Sequence, residues 1–217
     1  MESKDSGADL PTNCGSGNPA NVRTYFNATF CGANNDQRVL VVNTSIVRRV
    51  WQTHIRDAHV AVVMVNSDIY GGSGLSDVPV FSTANNAALI GIHELGHSFF
   101  NLADEYQTAY LPFDPDLYPN VTKHPVRNQI EWADLIAEGT PIPTSRNNCQ
   151  DGGAFTHQVS EDTVGLFEEA LYEDCNIYRP QFSCLMKSFY KPEFCAVCER
   201  AIRQKLQSFL QIEPPVV

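Results

Sequence analysis

The stretch Ile92–Tyr106 reads IHELGHSFFNLADEY. On a helix, residues four apart lie one above the other on the same face, so His93 and His97 aim two imidazoles at a single point. That is the spacing of a zinc clamp. Glu94 lies about 100° round the helix from His93, close enough to such a metal to hold a water without ligating it. The preceding segment, STANNAALIGI from Ser82 to Ile92, reads as a helix start. Ser82 or Thr83 serves as its cap, and Ala87, Ala88, Leu89, Ile90 and Ile92 form a buried body. A purely structural role would bury two histidines and a glutamate in that apolar helix without partners, at a cost of several kcal/mol.

His-Glu-x-x-His is the arrangement of zinc hydrolases. Chemistry at zinc needs a third protein ligand and an open fourth position. Asn101 tolerates the left-handed conformation that ends a helix, and Leu102-Ala103-Asp104-Glu105-Tyr106 follows as the chain turns back. In the metzincin pattern HExxHxxGxxH/D the third ligand comes three residues after the helix-ending glycine. Asn101 takes that terminating role one residue late, which makes Asp104 the expected third ligand and leaves Glu105 as its competitor.

Four blocks in order, VNSDIYGGSG (Val65 to Gly74), HELGHSFFNLADEY, YRPQFSCLMKS (Tyr178 to Ser188) and FCAVC (Phe194 to Cys198), resemble the IgA-peptidase family of zinc metallopeptidases. The resemblance spans roughly Arg48 to the C-terminus. It implies a metzincin-like α/β (α+β) catalytic domain, with a twisted, mostly parallel sheet, an active-site helix and a C-terminal helix. It implies one Zn2+ per chain and a secreted, monomeric endopeptidase acting on protein or peptide. Met186 takes the part of the methionine whose turn packs beneath the metal site. Tyr70, Gly71, Gly72 and Ser73 become the upper rim, where an edge strand receives the substrate through main-chain hydrogen bonds. Tyr178 and Arg179, with Tyr190 as a further option, are placed to steady the oxyanion. Phe100, Asn101, Glu169 and Asn176 depart from the family by standing where glycine or a small residue is usual.

The bulk properties bound the rest. A chain of 217 residues forms one domain, or one with two subdomains facing a cleft; residues 1–101 are expected to make the upper subdomain and 102–217 the lower. Composition is that of a globular protein, with 43% hydrophobic and 18% charged residues. The net charge of −10 argues against nucleic acid and against anionic membrane surfaces. No apolar run reaches the length of a membrane span, and no leader is visible in the polar N-terminus. Seven cysteines and N-x-S/T sequons at Asn27, Asn43 and Asn120 nevertheless fit an exported, glycosylated chain whose leader is missing.

Along the chain, Phe26–Phe30 and Arg38–Val42 read as strands around a turn at Gly32–Asp36, with a helix from Ser45 to Ile55. Ala58–Asn66 reads as a buried central strand, and Pro79 marks the following extended run as an edge. Pro-, Asp- and Asn-rich sequence from Tyr106 to Gly152 carries one amphipathic stretch, Asn128–Glu138, with Trp132. Thr163–Tyr172 packs Val164, Leu166, Phe167 and Leu171 inward and leaves Glu168 and Glu169 as solvated charges. A C-terminal helix over Glu193–Ile212 buries Ile202, Leu206, Phe209 and Leu210.

Cys195 and Cys198 form one CxxC without the second pair a structural zinc site wants, so disulfides are expected: Cys14 with Cys31, and Cys184 with Cys195 or Cys198. An odd count leaves at least one thiol over. Zinc on His93, His97 and Asp104, with Glu94 as general base, gives peptide hydrolysis without an acyl-enzyme. Two other readings stand beside it. One is a zinc-containing binding protein that has lost turnover; the other takes a distant ligand such as Glu131 or Glu168.

Overall fold

The computed structural model describes residues 7–12, 14, 21–33, 35–55, 57–108, 113–144 and 159–210. Helix and strand are mixed in it, and the chain divides into two compact units, Met1–Phe99 and Phe100–Val217. Among the described residues no helix is long and apolar enough to cross a membrane.

The first unit begins with paired extended segments. Asp9 bridges Thr29, Thr29 bridges Val41, and Val39 bridges Gly72, in the region expected to hold strands. A Cys14–Cys31 disulfide pins the first of these segments to the second. Helix α1 spans Thr44–His54, with the Asn43 side chain accepting from the Ile46 amide at its N-cap. Its outer face is moored by Arg48, whose Nε donates to Asp77 at 2.9 Å.

Strands β1 (Val63–Val65), β2 (Gly72–Ser73) and β3 (Val80–Ser82) form a sheet in the order β1-β3-β2. β1 runs parallel to β3 and β2 antiparallel to it, so the sheet is mixed rather than mostly parallel. Centre and edge exchange places relative to expectation. The Val-rich run is an outer strand that leaves Met64 exposed, while the strand after Pro79 is central. Pro79 costs no ladder bond because it precedes β3, and its carbonyl accepts from Val63. Phe30, Leu40, Val47, Val63, Val65, Val78 and Val80 fill the core of this unit.

Helix α2, Ala87–Ser98, packs on that sheet. Its apolar body is the one expected, but its start differs. Asn86 is the N-cap, in the left-handed conformation and without a side-chain cap bond. Ser82 belongs to β3, and the Thr83 hydroxyl donates to the Ser67 carbonyl. A methyl added at Gly91 would lie 2.9 Å from the Phe81 ring, so the glycine lets α2 sit close on β3.

In the second unit, β4 (Phe167–Ala170) pairs antiparallel with β5 (Glu173–Arg179) through a register shift between Glu168 and Ala170. Glu169, inside that bulge, has φ 84°. The amphipathic Asn128–Glu138 stretch forms short 3-10 turns, with Trp132 fully buried and donating from Nε1 to the Gly165 carbonyl. Helix α3 spans Ala196–Leu210. Only its first turns are packed: Val197 and Cys198 are buried, whereas Leu206 and Leu210, expected inside, are exposed. The core here joins Leu102, Ile130, Trp132, Leu166, Tyr178 and Met186 to the cysteines around them.

Candidate metal centre

Helix α2 carries His93, Glu94 and His97 within the first unit. The two Nε2 atoms stand 3.1 Å apart, with the rings edge-on. Two nitrogens bound to one tetrahedral zinc at about 2.05 Å stand about 3.3 Å apart, so the pair already has the geometry of a shared ion. Ligand atoms of His93, His97 and Glu94 all lie within 4.8 Å of one another.

Two glycines bring β2 and the loop after it onto this face of the helix. A methyl at Gly72 would lie 2.5 Å from Glu94 Oε1, and one at Gly74 would lie 2.6 Å from His97 Cβ and 2.7 Å from the Glu94 carbonyl. Sequence reasoning placed Gly71 and Gly72 at a substrate rim, and their main-chain groups turn out to be in use. Gly72 donates to the Arg38 carbonyl and accepts from the Leu40 amide. Gly71 donates to Ser82 Oγ and accepts from the Ser82 amide. A substrate strand therefore finds no free pairing group on these two residues. Ser73 is buried and Tyr70 is exposed.

Asp104 and Glu105 both belong to the second unit, and within it they face different surroundings. Asp104 is buried, and its Oδ2 accepts a 2.6 Å hydrogen bond from the Tyr172 hydroxyl. The Tyr172 ring is flanked by Tyr106 and Phe113. Burial, and then the Asp104 carboxylate, push the Tyr172 phenol upward, so it remains a donor. Glu105 is fully buried. Its amide donates to the Met186 carbonyl at 2.9 Å, and its Oε1 accepts from Asn120 Nδ2 at 2.9 Å and from Cys198 at 3.4 Å. Burial drives its carboxyl well above the usual range, with the nearby Cys184 adding to the shift.

Met186 is buried in a turn in which Lys187 and Ser188 both donate to the Cys184 carbonyl. Arg179 does not present a guanidinium to solvent. It is 0% exposed, and it donates to the carbonyls of Glu168, Glu169 and Phe182 and pairs with the Glu169 carboxylate. Tyr178 is packed in the core, and Tyr190 stands in solvent. Glu168 and Glu169, expected as solvated charges, are buried: the bulge turns them inward, where Glu168 accepts from the Asn176 amide and Glu169 from Lys187. The Glu168 carboxylate is thus occupied with backbone.

The expected disulfide from Cys184 to Cys195 or Cys198 is absent; all three thiols are free and buried. Burial raises the Cys184 thiol to about 12. Cys175 is disulfide-bonded. Tyr172 and Asn120 escaped the sequence reading, the first because a tyrosine in an acidic run carries no signal of its own, the second because it reads as a glycan acceptor. Asn120 is fully buried, with its amide spent on Ala103 and Glu105. The model of the family described as IgA Peptidase M64 matches residues 2–159 and 145–206 of the chain. No curated protein matches it.

Proposed function

The chain belongs to the IgA peptidase M64 family, and from that premise we propose that it is a secreted zinc-dependent endopeptidase of metzincin-like design, cutting protein or peptide substrates. The observation that carries this reading is the pair of Nε2 atoms on α2, 3.1 Å apart, with a glutamate carboxylate in the same cluster. His93, His97 and Asp104 would hold the ion. When bound, zinc acidifies water and polarises the scissile carbonyl.

The protein's own groups do the remaining work. Glu94 takes the proton of the attacking water on a carboxylate oxygen and returns it to the departing amine nitrogen. Glycine at 72 leaves its carboxylate room beside β2. Tyr172 fixes the rotamer of Asp104 through its 2.6 Å bond. Met186 supports the same segment from behind, its carbonyl accepting from the Glu105 amide. Export is favoured by the disulfides at Cys14–Cys31 and Cys175.

Residues standing where the family has glycine would favour a binding protein without turnover if they distorted the backbone. Asn101, Glu169 and Asn176 adopt φ of 57°, 84° and 65°, the left-handed region that glycine would have supplied, so these three positions give that reading no support. The experiment is casein digestion with and without chelator, wild type beside Glu94→Gln. Chelator-sensitive cleavage, abolished in Glu94→Gln with zinc retained, is the expected result; equal cleavage by the variant would remove Glu94 from the chemistry.

A further inference from the structure

Four side chains from three separate stretches converge inside the second unit: Glu105, Cys184 from the methionine turn, and Cys195 and Cys198 at the start of α3. All four are buried, and one ligand atom from each lies within 4.8 Å of the others. Cys184 and Cys198 place their sulfurs 3.8 Å apart, and Cys198 Sγ lies 3.4 Å from Glu105 Oε1. Around a tetrahedral zinc with bonds of about 2.3 Å to sulfur and about 2.1 Å to oxygen, neighbouring sulfurs stand about 3.8 Å apart and a sulfur and an oxygen about 3.6 Å apart. The observed spacings are those of an ion's ligand shell, and they are too long for a sulfur–sulfur bond.

Backbone amides and a helix N-terminus face the sulfurs. The Cys195 amide donates to Cys184 Sγ at 3.2 Å, and the Cys198 amide to Cys195 Sγ at 3.4 Å. Cys195 immediately precedes α3 and Cys198 lies in its first turn, where the helix N-terminus favours negative charge. Asn120 orients the Glu105 carboxylate, whose other oxygen, Oε2, is buried with no hydrogen-bond partner among the described residues. Arg179 acts electrostatically on both Glu105 and Cys184, and Lys187 acts on Glu105. Three thiolates and a carboxylate would carry four negative charges; zinc neutralises two, and Arg179 and Lys187, which also face the Glu169 carboxylate, offset part of the remainder. The chain forms disulfides elsewhere, so sulfurs left reduced in mutual contact need something that holds them so.

We propose that Glu105, Cys184, Cys195 and Cys198 bind a second, structural zinc ion in a closed Cys3Glu site that ties the methionine turn to α3. A CxxC without a second CxxC reads in sequence as too few ligands; here Cys184 and Glu105 complete the set. The site holds the second unit together and leaves no position for substrate.

The test uses the full chain carrying His93→Ala and His97→Ala, which removes the histidine pair and leaves every cysteine in place. Zinc is counted by mass spectrometry after dialysis, and the same protein is refolded with Co2+ to look for thiolate-to-cobalt charge transfer. About two zinc ions in wild type and one in the double variant, with the charge-transfer band present, is the expected result. A double variant that folds without zinc, or peptide mapping that finds a Cys184–Cys198 disulfide, would overturn the proposal. One zinc in wild type that survives in the double variant would uphold this site and sink the histidine one; one zinc that is lost would do the reverse.

Discussion

The Tyr172 hydroxyl donates a 2.6 Å hydrogen bond to Oδ2 of Asp104, joining two residues 68 positions apart in the chain. A carboxylate held by a half-buried donor has one oxygen committed and its plane fixed, which is how proteins present the other oxygen to a metal.

Tyr172→Phe removes that donor and little volume. With Asp104 as third ligand, zinc affinity at the histidine site should fall about 10- to 100-fold, while turnover at saturating zinc falls less. Competition with a chromophoric chelator reads the first and casein kinetics the second. An unchanged affinity would take Asp104 out of the ligand set.

Gly74 offers a way to disturb α2 without replacing a ligand. Its added methyl meets the Glu94 carbonyl at 2.7 Å, and a helix backbone cannot swing aside as a side chain can. Gly74→Ala should destabilise the protein by about 1–3 kcal/mol and lower kcat/KM as His97 shifts. Urea unfolding and peptide hydrolysis, measured together, check both effects. Wild-type values for both would mean that the loop moves instead.

The helix that carries His93, Glu94 and His97 was legible because their spacing depends on one local periodicity, and α2 keeps it. Asn101 was legible too, since few residues besides glycine adopt φ 57° and asparagine is one of them. Sheet order was not. A Val-rich run looks the same at an edge as at a centre, and Met64 pointing to solvent is a tertiary outcome. Glu105 was weighed only as a rival to Asp104, because its partners Cys184 and Cys198 lie 79 and 93 residues away. Glu168 and Glu169 read as surface charges because a bulge that turns two carboxylates inward leaves no mark on composition.

Asn120 carries a glycan sequon that the fold closes. Its amide nitrogen donates to the Ala103 carbonyl and to Glu105, and its oxygen accepts from the Ala103 amide. Expression in a glycosylating host should leave Asn120 bare, with Asn27 and Asn43, both exposed, the sites to carry sugar. Asn120→Ala strands three buried groups and should cost about 3 kcal/mol or more. Glycopeptide mapping and denaturant melts measure the two halves, and a glycan found at Asn120 in folded protein would show that its pocket opens.

Glu169 and Asn176 share an uncommon backbone, with φ 84° and 65°, yet their replacement by glycine should act in opposite directions. Asn176 is exposed and uses its own amide, not its side chain, to bond Glu168. Asn176→Gly therefore keeps the bond and relieves the left-handed strain, for a gain of up to about 1 kcal/mol. Glu169→Gly relieves the same strain but removes the carboxylate that sits 3.3 Å from Arg179 and 2.6 Å from Lys187. Arg179 is wholly buried, and a buried charge stripped of its partner costs about 3–5 kcal/mol, several times what the backbone regains. Thermal melts of the two variants should move in opposite directions, Glu169→Gly downward by far the more. If both rise, backbone strain outweighs the ion pairs in this hairpin, and the Arg179 guanidinium is held by the carbonyls of Glu168, Glu169 and Phe182 alone.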